Sequence, residues 1–115
     1  MKMKTSELTG LALDWAVAKC EKVDEYILYE SFMSRWTDEE GDTYQYSTDW
    51  AQGGPIIERE EIDIQCFPRK NGTKVWRTFY ADGSTPLIAS MRCYVASKLG
   101  DEVEIPDELT KGESK

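Results

Sequence analysis

Histidine is absent from this chain of 115 residues, and cysteine occurs only as Cys20, Cys66 and Cys93. Without histidine there is no Ser-His or Cys-His nucleophile pair. The three thiols are widely spaced with no C-x-x-C pair, so they offer no structural zinc site. Each has apolar neighbours and is expected to be a small buried side chain in a reducing compartment. Positive charge is also scarce, with 14 Lys and Arg against 22 Asp and Glu, a net charge of −8. That balance argues against direct nucleic-acid binding, which needs a basic footprint, and against anionic membranes. No apolar run approaches the roughly 20 residues that span a bilayer. The basic start Met1–Lys4 leads into a stretch interrupted by Asp14 and Lys19, which does not read as a signal peptide. The chain is therefore expected in the cytoplasm.

Catalytic signatures are missing as well. The only paired glycines with a helix after them, Gly53-Gly54, lack the further glycines and the Lys-Ser or Lys-Thr of a phosphate loop. No EF-hand pattern is present. Carboxylates are plentiful, but no spacing singles out an acid–base pair. A non-enzymatic protein without cofactor or metal is the expectation. The acids cluster at 38–42, 58–63 and 101–108. Their plain reading is solubility; they also permit a basic protein partner drawn in by charge, or a surface that mimics DNA.

What is present is a single domain's worth of periodic structure. Thr5 or Ser6 is placed to cap a helix over about Glu7–Lys22, with Leu8, Leu11, Ala12, Trp15 and Ala18 at helical spacing. Asp14 is expected on its solvated side. Glu25–Trp36 is dense in β-formers and reads as a strand, followed by an acidic loop over Thr37–Thr43. Tyr44-Gln45-Tyr46 suggests a short strand. Ser47 reads as an N-cap, Gly53-Gly54 as a corner, and Pro55 as the first position of a second helical piece. Ile62–Phe67 and Lys74–Tyr80 read as two strands of a hairpin around Asn71-Gly72, with a connection longer than two residues. Thr85 and Pro86 open a last helix that Gly100 closes. Val103–Pro106 is expected to be briefly extended. The sum is an α+β fold, a small antiparallel sheet packed with helices as an α-β-α sandwich, in the order α-β-α(split)-β-β-α. The domain is expected over 1–109, with a flexible tail at 110–115.

Four segments carry a resemblance: Thr5–Gly10, Leu13–Lys19, Tyr46–Glu60 and Thr85–Val95. Together they resemble the NinX family, small proteins of lambdoid phages and prophages grouped with the phage ABA-sandwich domain. The resemblance runs from Met1 to about Leu109, with Val23–Gln45 fitting least closely. It implies a phage accessory protein made in the cytoplasm of the infected host, and an α/β sandwich. It brings no activity, cofactor or catalytic residue.

Candidate site residues come from the residues themselves. Ser47, Thr48, Asp49, Trp50 and Gln52 place hydroxyl, carboxylate, indole and amide around a helix start, where free backbone N–H groups suit an anion. Gly53 and Gly54 would let a ligand approach the backbone. Arg59 and Arg92 are cations able to hold a phosphate or carboxylate in a bidentate pair. The plain alternatives are a capped helix with Trp50 in the core, and ordinary salt bridges for the two arginines. Two functions follow as expectations. The first is binding of a host or phage protein, in counter-defence or in modulation of replication or recombination. The second is binding of a nucleotide-like small molecule. Trp36 or Trp76, if exposed, would be an interface anchor. An edge strand in so small a sheet permits a homodimer without requiring one.

Overall fold

The computed structural model describes residues 1–23 and 44–109. The expected strand at Glu25–Trp36, the acidic loop after it, Trp36 and the C-terminal tail lie outside the described residues. Within them the fold is α+β, with three helices and two small antiparallel sheets. Strand β1 (Lys2–Lys4) pairs with β5 (Glu102–Glu104), Met3 facing Val103. A 3₁₀ turn over Thr5–Glu7 leads to α1 (Gly10–Cys20). Helix α2 spans Trp50–Glu60. Strands β2 (Gln65–Pro68), β3 (Lys74–Arg77) and β4 (Asp82–Gly83) form the second sheet. Helix α3 (Pro86–Leu99) and a 3₁₀ turn at Asp107–Leu109 complete it.

The core lies between α1 and α3. Seven consecutive residues of α1, Ala12–Ala18, are buried, so the helix is enclosed on every side. Leu8, Leu13, Val17, Ile56, Met91, Val95 and Ile105 are almost inaccessible. The expectation of one sheet is corrected to two. The pairing of β1 with β5 joins segments about a hundred residues apart, and strands of three residues are too short to show a period of two.

Several local expectations are also corrected. Thr5 and Ser6 cap no helix. Thr5 is buried, and its hydroxyl donates to the Gly100 carbonyl (2.6 Å) at the end of α3. The chain enters α1 through Gly10, whose φ of 56° is inexpensive only for glycine. Asp14 is buried, and its Oδ1 accepts the Ser47 N–H at 2.8 Å. Leu11, counted on the apolar face, is exposed. Tyr44–Tyr46 forms no strand; the Gln45 carbonyl turns the chain by accepting the Thr48 and Asp49 N–H groups. Asp82–Gly83, which carries no strand signal in the sequence, pairs with β3. The hairpin connection is longer than two residues, as expected, because pairing ends at Pro68–Lys74.

The expected split of the second helix is overturned most clearly. Trp50–Glu60 is one continuous α-helix with Pro55 inside it. Proline's φ suits a helix, and its missing N–H costs one bond near the first turn. The two glycines have different reasons. A side chain at Gly53 would run into the Tyr46 carbonyl oxygen and lie 2.6 Å from Leu87 Cδ2, so glycine lets α2 sit on the turn and on α3. At Gly54 the nearest group is Trp50 Cε3 at 3.7 Å; here glycine spares the helix the crowding that proline imposes on a preceding Cβ. Gly53→Ala is expected to cost about 1–2 kcal/mol from overpacking. Gly54→Ala is expected to stay within about 0.5 kcal/mol, helix propensity offsetting the crowding. Equal effects in denaturant titrations of the two variants would contradict this assignment.

Candidate functional site

The nine residues singled out from sequence do not converge on one site. Around the start of α2 the N-cap is Asp49 rather than Ser47. Asp49 Oδ1 accepts the Ala51 N–H (2.9 Å), and the Asp49 carbonyl accepts those of Gln52 and Gly53. The amide of Gln52 bridges back, its Oε1 accepting the Gln45 N–H (2.8 Å) and its Nε2 donating to Asp49 Oδ2 (3.3 Å). The donors expected to greet an anion are thus consumed by the protein itself. Ser47 is buried with no partner for its hydroxyl among the described residues, and Thr48 is exposed. Trp50 is 54% exposed and so is not the core residue of the plainer alternative. Residues 47–54 form a self-capped helix start.

Arg59 belongs to a different cluster. Its guanidinium takes Glu21 in a bidentate pair, Nη1 to Oε1 at 3.1 Å and Nη2 to Oε2 at 2.6 Å, while Nε donates to Glu60 at 2.9 Å. The Tyr94 hydroxyl donates to Glu21 Oε2 (2.6 Å) and accepts from Arg59 Nη2 (3.1 Å). Lys98 closes the group against Glu60 at 3.5 Å. The hydrogen bond from Arg59 holds the Glu21 carboxyl below its usual range. Glu21 therefore contributes stability above pH 4.5 that is lost as pH falls through its folded value. Burial, then the hydrogen bond to Glu21, pushes the Tyr94 phenol up. Arg59 is fully committed to these acids, as the salt-bridge alternative had it.

Arg92 is placed otherwise. Nε donates to the Leu8 carbonyl and Nη1 to the Asp82 carbonyl, each at 2.8 Å. It forms no salt bridge, and Nη2 makes no hydrogen bond, among the described residues. Burial accordingly pulls the guanidinium below its ordinary value. Arg92 lines a cleft of about 790 Å³ between the start of α3, the hairpin and the 3₁₀ turn. Arg69 and Lys74 line it too, with the hydroxyls of Ser6, Thr73, Thr78 and Ser84. Asp82 is the one acid in the lining, and its Oδ2 is held 3.5 Å from Arg77 Nε. The floor exists because β4 lies directly on α3. A Cβ at Gly83 would stand 2.6 Å from the Ala89 nitrogen.

The rim of this cleft is aromatic. Phe79 is 88% and Tyr80 58% exposed, edge to face with centroids 4.8 Å apart. The turn that holds them is tied by Thr78, whose hydroxyl donates to the Ala81 carbonyl at 2.7 Å. On the neighbouring strands Arg77 stacks over Phe67 at 5.2 Å. Strand β2 is exposed along its whole length, so Cys66 is exposed rather than buried. Trp76 is only partly buried. Apart from Trp76, no hairpin residue was singled out from sequence, yet a signal stands there. Between Asp63 and Asp82, eighteen residues carry four cations and no acid, whereas the rest of the chain has ten cations against twenty-two acids. Net charge averages that island away.

Comparison with protein families gives a match over residues 4–98 to the family described as bacteriophage P22, NinX. Comparison with curated proteins gives no match. Among the described residues no helix is long and apolar enough to cross a membrane.

Proposed function

This chain belongs to the bacteriophage P22 NinX family, and from that premise we propose that it is a non-enzymatic phage accessory protein. It acts in the cytoplasm of the infected host by binding a host or phage protein, in counter-defence or in modulation of replication or recombination. The contact surface is the basic, aromatic hairpin face.

The observation that carries this reading is the exposed pair Phe79–Tyr80. An aromatic side chain buries about 150–250 Å² in a contact, so leaving two in water at one turn forfeits a large stabilisation unless a partner covers them. Interface anchors are drawn from aromatics and arginine, and Arg69 and Arg77 stand on the same hairpin. The charge island implies an acidic patch on the partner. The chain's own acid-rich remainder would repel such a partner elsewhere and so orient it.

The test is affinity capture from phage-infected lysate with the wild type and with the double variant Phe79→Ser/Tyr80→Ser. One protein should be enriched by the wild type, with its recovery falling at least tenfold in the variant, as loss of a hot-spot pair requires. The variant's stability should stay within about 0.5 kcal/mol, since both side chains are exposed. Unchanged recovery in the variant, or no enriched protein, would refute the reading.

A further inference from the structure

The cleft beneath the aromatic turn shares Phe79, Tyr80 and Arg69 with the proposed protein contact and adds Arg92 behind them. Arg69, Lys74 and Arg92 converge on it from the hairpin loop, β3 and α3. None of the three forms an ion pair among the described residues, in a chain where acids exceed cations by eight. Other arginines find acids readily: Arg59 has two and Arg77 has one. Arg92 is the informative member. Two backbone carbonyls fix the plane of its guanidinium at Nε and Nη1, so it needs no ordering to receive an anion at its remaining edge. A fixed guanidinium suits a phosphate oxygen pair. Of the serine and threonine hydroxyls lining the same space, those of Thr73 and Thr78 donate within the hairpin, which leaves Ser6 and Ser84 as further donors, and two aromatic rings stand at the rim. The volume lies within the range of small-molecule sites.

We propose that this cleft binds a nucleoside diphosphate or a ligand of that class. Its phosphates sit between Arg92, Arg69 and Lys74, and its base sits against the Phe79–Tyr80 rim. The division of labour is physical. Three cations against Asp82, already paired with Arg77, and Glu7 outside the lining leave the cleft net positive, which a polyphosphate answers better than a monocarboxylate does. A flat ring at the rim gains about 1–3 kcal/mol from stacking on an aromatic side chain. Nucleotide-like binding thus falls not at the start of α2, whose donors are spent, but at a cleft where three cations lack an acid partner.

Isothermal titration of the full chain with ADP, inorganic pyrophosphate and adenosine tests it. ADP should bind most tightly, pyrophosphate several-fold more weakly, and adenosine not measurably. Raising the salt from 50 to 300 mM should weaken ADP binding several-fold. Arg92→Lys should weaken ADP binding at least tenfold. Because Arg92 also ties α3 to Leu8 and Asp82, the double variant Arg69→Ser/Lys74→Ser, on exposed positions, provides an arm free of folding effects. It too should lose at least tenfold. No heat with either ADP or pyrophosphate at millimolar concentration would overturn the proposal. So would ADP binding unchanged in the double variant, and so would equal affinity for pyrophosphate and ADP, which would leave a bare anion site. Failure here leaves the Phe79→Ser/Tyr80→Ser capture experiment standing, because that experiment reads recovery of a protein through the exposed aromatic pair and not the binding of ADP.

Discussion

Gly83→Ala should lower stability by about 3 kcal/mol, at the upper end of the overpacking range, and the melting temperature by roughly 10 °C. The added methyl would lie 2.6 Å from the Ala89 nitrogen and 3.0 Å from both Ala89 Cα and Ile88 Cγ2. Two of those three atoms are backbone of α3, which is packed into the core through Leu87, Met91 and Val95. The helix cannot retreat without opening that core, so the strain must fall on β4. At Gly53 one of the two obstacles is the far end of a flexible leucine side chain rather than backbone, so part of the clash can be relieved there and the expected cost is smaller. The change at Gly83 also has a functional consequence. Pushing β4 away from α3 would displace the Asp82 carbonyl from Arg92 Nη1, so ADP affinity should fall along with stability. Thermal unfolding of Gly83→Ala and Gly54→Ala side by side checks the stability claim. A Gly83→Ala melting temperature within 3 °C of wild type would show that β4 is not pinned as described.

Stability should fall steeply above pH 9, by about 3–5 kcal/mol between pH 9 and 12, after allowing for solvent screening of groups that are only partly buried. Three groups act in the same direction. Burial pushes the Cys20 thiol up to about 11 from 9.0, with the neighbouring Glu21 adding to it. Burial pushes the Tyr46 phenol up to about 12 from 10.0. Tyr94 is raised further by burial and by its bond to Glu21. In each case the folded value exceeds the unfolded one. Above pH 9 the unfolded chain therefore holds fewer protons than the folded chain, and stability declines as pH rises. The contribution of each group is complete below its unfolded value and is lost through its folded value. Urea titrations at pH 8, 10 and 11.5 read the slope. Cys20→Ala and Tyr46→Phe should each flatten it by about 1 kcal/mol. A profile level to pH 11, or one equally steep in both variants, would show that these groups titrate alike in the two states.

The same contrast between local and distant causes explains how much was legible in advance. Helix α3 could be read almost to the residue. Thr85 accepts the Ile88 N–H (3.1 Å), Pro86 follows and Gly100 ends the helix, and all of these are choices made within one turn of the chain. The Asn71–Gly72 turn and the strands beside it are local in the same sense. Helix α2 could be placed but not understood. Gly53-Gly54-Pro55 is a breaker by intrinsic preference, and only the Tyr46 carbonyl and Leu87 lying against Gly53 show why the helix continues. Asp14 looked solvated because its amide partner, Ser47, is thirty-three residues away.

By itself, then, the sequence determined the α+β class, the last helix, the hairpin, the absence of a histidine-based nucleophile pair and the kinship with a phage family. Each of those depends on residue identity or on neighbours a few positions apart. Only the tertiary structure decided which arginine is spent. Arg59 and Arg92 look alike as letters, but Arg59 meets Glu21 just past the end of α1, whereas Arg92 meets two backbone carbonyls and an open cleft. A side chain's charge is written in the chain, while whether that charge is already neutralised depends on what folding brings within about 4 Å of it.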